Sequence, residues 1–112
     1  MTMRRTIATM TVAALLTLGA VPAAAVTIRG NGTRWRPSSV DIARGDRVLW
    51  RAVLGNHDVR AYGGNWTYFR AISQGESVAR RFRTRGTFRF VCTIHGDVIA
   101  GRCTGMCGRV LV

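Results

Sequence analysis

The sequence predicts an all-β domain, a sandwich or barrel of short strands, and three observations carry that prediction. Apolar and polar residues alternate in short runs such as RVLWRAVL and TFRFVC, the period of a strand with one buried face. Clusters of Gly, Asn, Asp, Ser and Pro separate these runs, as turns require. After residue 25, no stretch of normal helix length carries helical periodicity.

The elements follow in order. VTIRG (26–30) is rich in β-formers and stops at Gly30-Asn31-Gly32. Pro37 precedes SSVDIA, where Val40 and Ile42 share a face. Gly45-Asp46 turns the chain into RVLWRAVL (47–54), with Val48, Trp50 and Ala52 opposed to Leu49, Arg51 and Val53. A loop, GNHDV (55–59), is expected next, then the glycine-punctuated aromatic segment AYGGNWTYFRAI. Ser73-Gln74-Gly75 leads into ESVARRFR, Arg85-Gly86 into TFRFVC, and GRVLV (108–112) makes the terminal strand.

The N-terminus reads as an export signal. Arg4 and Arg5 precede a largely apolar run from Ile7 to Ala20, and Ala23-Ala24-Ala25 offers small residues for cleavage. Val26 is the expected first mature residue, so residues 1–25 are assigned to a signal peptide and 26–112 to one small domain. The mature chain carries no expected membrane span, and its expected location is exported: secreted, periplasmic or cell-surface. Of 17 basic residues, all arginine, two lie in the signal, leaving 15 against Asp41, Asp46, Asp58, Glu76 and Asp97, a mature net charge of +10. A field of that sign steers the protein toward acidic partners or anionic surfaces.

Cysteine arithmetic is informative in an exported chain, because thiols there tend to pair. Cys92, Cys103 and Cys107 are three, so one of them needs an intermolecular bridge, a reactive role or a metal. Alternation in TFRFVC puts Phe88, Phe90 and Cys92 on one face, which points Cys92 toward the core. His95 follows at C-x2-H spacing, able to share an ion with that thiolate. Apart from Met1, Met3 and Met10 in the signal, the chain holds a single methionine, Met106, and its only histidines are His57 and His95. Two imidazoles, one thiolate and a weak thioether are the donors of a trigonal copper site. His57, Cys92, His95 and Met106 supply that set with no histidine or methionine left over. A Cys3His zinc site from Cys92, His95, Cys103 and Cys107 is the rival, and with this basic charge it would suggest a nucleic-acid-binding module.

The mature chain resembles the cupredoxins, the plastocyanin-like small blue copper proteins. The resemblance rests on GDRVLW leading to GNHDV, on GESVARRF and RGTFRFVCTIH, and on GMCGRVLV at the end. It implies a Greek-key β-sandwich holding one type 1 copper, with His57, Cys92 and His95 as strong equatorial ligands and Met106 as the long axial one. Asp58 matches a polar position that ties the two ligand loops together. Ten residues, GDVIAGRCTG, separate His95 from Met106, more than is common in the family. A disulfide between Cys103 and Cys107 would restrain that long loop, and would leave Cys92 as the one thiolate, held by copper.

The implied function is electron transport between redox partners by Cu(II)/Cu(I) cycling, with His95 presenting its ring edge at the surface. A copper chaperone or storage protein would use the same ligands. Once the histidines are assigned, no acid/base pair or nucleophilic triad remains, so catalysis is not expected. The expected partner is a redox protein with an acidic docking surface rather than nucleic acid, and the chain is expected to be a monomer.

Overall fold

The computed structural model describes residues 23–112, which form nine strands and no helix. The expected signal peptide lies outside the described residues except for its last three. The expected boundary falls at the first residue of β1 (Ala25–Asn31). The other strands are β2 (Arg34–Arg36), β3 (Ser39–Asp41), β4 (Arg47–Leu54), β5 (His57–Tyr62), β6 (Phe69–Ile72), β7 (Ser77–Arg81), β8 (Thr87–Ile99) and β9 (Arg102–Leu111).

Two sheets face each other: a four-stranded sheet in the order β2-β1-β4-β7 and a five-stranded one in the order β3-β9-β8-β5-β6. Both are mixed, because β1 pairs with β4 and β3 with β9 in parallel while the remaining pairs are antiparallel. The chain crosses repeatedly between sheets, so strands distant in sequence share one core. Inward residues are those the alternation selects: Val48, Trp50 and Ala52 on β4, Ile28 on β1, and Phe88, Phe90 and Cys92 on β8 are all buried. Trp50 meets Phe90 edge to face at 5.3 Å, the favoured aromatic arrangement.

At the end of the sandwich where β8 begins, Trp66 closes the core. It packs on Phe82 and Phe88 and donates its indole N–H to the Arg89 carbonyl at 2.9 Å. The Arg80 guanidinium lies 5.0 Å from the Trp66 and Phe82 ring centroids, a cation held over aromatic faces. The opposite end, where β8 leaves the core, carries the candidate site.

Three segments differ from expectation. Arg34–Arg36 forms a short strand that doubles back on β1 through Gly32, whose φ of 68° suits the turn. The expected loop at 55–59 is a loop only to Asn56, for His57 opens β5. GDVIAGRCTG is a β-hairpin, in which Asp97 faces Thr104, Val98 faces Cys103 and Ile99 faces Arg102 around Ala100-Gly101. Both of those turn residues have positive φ, 50° and 76°, the geometry that matches the twist of two-residue hairpins.

Candidate metal centre

A bulge in the β8–β9 ladder builds the site. Val91 pairs with Cys107 and Gly96 with Gly105, so residues 92–95 of β8 stand opposite Met106 alone. Such a mismatch forces the longer strand out of plane and re-aims its side chains. Gly96 and Gly105 face each other at the edge of this bulge, where a Cβ on Gly96 would sit 2.8 Å from the Met106 nitrogen. That backbone approach explains the two glycines.

Cys92 and His95 come from the bulge and His57 from the start of the neighbouring β5. The Cys92 sulfur lies 3.8 Å from His57 Nδ1 and 3.7 Å from His95 Nδ1. One donor atom from each of the three residues lies within 4.8 Å of the other two. Cys92 and Met106 are fully buried, His57 is buried and His95 half-buried. Met106, on β9, stands opposite the bulge in the ladder.

The His57 tautomer is fixed by its partner. Its Nε2 lies 2.8 Å from the Leu54 carbonyl, which can only accept, so Nε2 carries the proton and Nδ1 turns a lone pair toward Cys92. The turn that supplies this carbonyl is held from β6–β7: the Gly55 N–H donates to Gln74 Oε1 at 2.8 Å, and the Gln74 N–H donates to Asn56 Oδ1 at 3.0 Å. Gly30 backs the ring on its other side, where a Cβ would lie 2.8 Å from His57 Cδ2.

Asp58 links the two ligand segments. It is 5% exposed and accepts the Thr93 N–H at 2.6 Å on Oδ1 and the Thr93 hydroxyl on Oδ2. Each partner directly follows a candidate ligand, so these bonds set the separation of the His57 imidazole from the Cys92 thiol.

The Cys103–Cys107 disulfide is formed, and Cys92 is left free. Both cysteines of the bridge lie on β9, with Cα atoms 6.1 Å apart, where four residues of extended strand would span about 13 Å. The bridge therefore clamps a sharp bend around Gly105 and Met106. It also removes the Cys3His zinc arrangement, since two of its three sulfurs are bonded to each other.

The donor set fits a small, sulfur-seeking ion. An ion about 2.3 Å from sulfur and about 2.0 Å from an imidazole nitrogen separates those donors by about 3.7 Å when they subtend about 120°, and by about 3.5 Å at the tetrahedral angle. The separations of 3.7 and 3.8 Å are what one ion held between these donors requires. Leu54, Gln74, Thr93 and Gly30 support the site without having been legible as functional: a backbone carbonyl leaves no trace in sequence, and the others are common turn or strand residues.

No family model and no curated protein sequence matches the chain. Solved structures do. A copper-containing nitrite reductase from Thermus scotoductus SA-01 superposes with a TM-score of 0.64 at 20% identity over 78% of this chain, which spans 22% of that protein. Amicyanin from Paracoccus versutus gives 0.62 at 24% identity, covering 83% of this chain and 85% of amicyanin. The chain has the cupredoxin fold. A pseudoazurin from Sinorhizobium gives 0.61 at 17% identity, covering 79% of this chain and 72% of pseudoazurin. Between His95 and Met106 the chain forms the β8–β9 hairpin, and the Cys103–Cys107 disulfide braces it beside Met106.

Proposed function

We propose that the chain is an exported carrier of single electrons that binds one copper ion through His57, Cys92, His95 and Met106. The observation that carries this reading is the convergence of a buried thiol and two imidazole Nδ1 atoms at a spacing one ion could bridge. When bound, copper would supply a one-electron Cu(II)/Cu(I) couple tuned by the thiolate and thioether.

The chain's own residues serve that role by staying still. His57 is oriented by Leu54 and backed by Gly30, Cys92 is tied through Thr93 to Asp58, and Met106 sits in a bend clamped by Cys103–Cys107. A donor set held this way keeps one arrangement in both oxidation states, so little reorganisation accompanies each transfer. Outer partners of this kind also set ligand basicity. His95 alone of the imidazoles reaches the surface, lining an open groove with Arg34, Trp35 and Arg36. Electrons would pass at that edge, and the two arginines favour a redox partner with an acidic docking surface.

Voltammetry of the copper-loaded protein tests the function. A reversible one-electron wave that disappears in Cys92→Ser is expected. Rapid surrender of Cu(I) to a competing chelator, with no reversible wave, would instead make the chain a copper carrier and contradict the proposal.

A further inference from the structure

The outward face of the four-stranded sheet is an arginine lattice, of which the electron-carrier reading uses only Arg34 and Arg36 at the β2 edge. Strand register fixes its layout. Arg29 on β1 pairs directly with Arg36 on β2 on one side and with Arg51 on β4 on the other. Arg47 on β4 pairs directly with Arg81 on β7, and Arg34 lies two residues from Arg36 on the same face. All point away from the core, since their strand neighbours Ile28, Trp35, Val48 and Trp50 are buried.

Like charges directly opposite one another in a sheet destabilise it, and here nothing on the face offsets them. Among the described residues, the remaining outward positions are Ala25, Thr27, Asn31, Leu49, Val53, Ser77 and Ala79. The flanking carboxylates are engaged elsewhere: Asp46 accepts the Ala24 and Ala43 N–H groups, and Glu76 accepts the Ser73 N–H. Arg51 reaches Ser77 Oγ at 3.5 Å and Arg81 the Gly45 carbonyl at 3.4 Å, contacts that leave both charges uncompensated.

We propose that this face docks on an anionic phospholipid surface. A layer of headgroups offers negative charge spread in two dimensions, as the arginines are, and arginine stems can lie along apolar surface while their heads meet phosphate. The face also mixes apolar residues with its charges. Leu49 and Val53 alternate with Arg47 and Arg51 along β4, Val53 being 44% exposed. No aromatic side chain stands among the outward positions of this face. Docked this way, the protein turns its five-stranded sheet outward, while Arg34 and Arg36 at the β2 edge lie between the headgroups and the groove beside His95. The proposal stands independently of the metal.

Vesicle co-sedimentation tests it, using metal-free protein recovered from the exported fraction of an expressing host. Phosphatidylcholine vesicles containing phosphatidylglycerol should bind the protein in a salt-sensitive manner, and vesicles of phosphatidylcholine alone should not. Replacing Arg29, Arg47 and Arg51 together by Gln should weaken binding about a hundredfold, at about fivefold per arginine. The same three changed to Lys should retain most of it. The control triple Arg60→Gln, Arg89→Gln and Arg109→Gln, on the other sheet, removes equal charge and should weaken binding only a few-fold. The Gln triple should also melt no lower than the parent, because opposed charges have been relieved. Equal loss in both triples, equal binding to neutral vesicles, or no binding to the anionic ones would overturn the proposal. So would polyglutamate binding through the same arginines where anionic vesicles do not bind, which would make the face a protein-docking surface.

Discussion

Asp58→Ala removes a buried carboxylate that accepts two bonds from Thr93 across the ligand segments. Hydrogen bonds to a charged group contribute about 1.5–3 kcal/mol each. Thr93 is exposed, so water can re-satisfy its hydroxyl and N–H, and the lower end of the range applies: about 3 kcal/mol for the pair. In a domain of this size each kcal/mol moves the melting temperature by about 4–8 °C, so the variant should melt roughly 12–24 °C lower. Thr93→Val deletes only the hydroxyl bond and should cost about 1.5 kcal/mol. Because the two changes share that bond, the double variant should be about as destabilised as Asp58→Ala alone. Copper affinity of Asp58→Ala should fall about ten- to a hundredfold, as for other residues that orient ligands. Thermal melts of metal-free protein and competitive copper titration read the two effects separately. Additive single-variant costs, or an unchanged copper affinity, would refute the idea that Asp58 couples the His57 and Cys92 segments.

Gly30→Ala places a methyl group 2.8 Å from His57 Cδ2 and 3.0 Å from Trp35 Cζ3, and should cost about 1–3 kcal/mol in a melt while shifting the spectrum of copper-loaded protein. Met106→Leu conserves core volume, so its cost should stay below about 1.5 kcal/mol, but loss of the thioether should raise the reduction potential while preserving colour. An unchanged potential would remove Met106 from the ligand set. Changing both Cys103 and Cys107 to Ser opens a short loop worth about 2 kcal/mol on the chain-entropy formula; copper binding should persist with an altered spectrum or potential. Denatured, metal-free, non-reduced protein should titrate with one thiol, Cys92, whereas three thiols would contradict the bridge.

Much of this site was legible in the sequence because donor-type residues are scarce in it. With two histidines and one methionine outside the N-terminal segment, few ligand sets were open. Alternation along TFRFVC also oriented Cys92 correctly, since strand periodicity survives burial. The hairpin at 96–105 was harder. Its Gly96, Gly101 and Gly105 look like a loop, yet Gly96 and Gly105 are paired strand residues whose backbones approach too closely for a Cβ. Its turn uses Ala100 at φ 50°, a position where Asn or Gly is the usual signal. Likewise Arg34–Arg36 is too short, with one apolar residue, to display a period, and His57 sits at a strand start that GNHDV conceals. The tie from His57 to the Leu54 carbonyl could not be read at all, because every residue carries a carbonyl and only the turn selects this one.

The visible spectrum of the Cu(II)-loaded protein tests the copper reading most directly. A short Cu(II)–thiolate bond is strongly covalent, so an intense charge-transfer band and a blue or green solution are expected, both lost in Cys92→Ser. Stoichiometric Cu(II) bound with no such band, or a band that survives Cys92→Ser, would contradict a metal centre built on His57, Cys92 and His95.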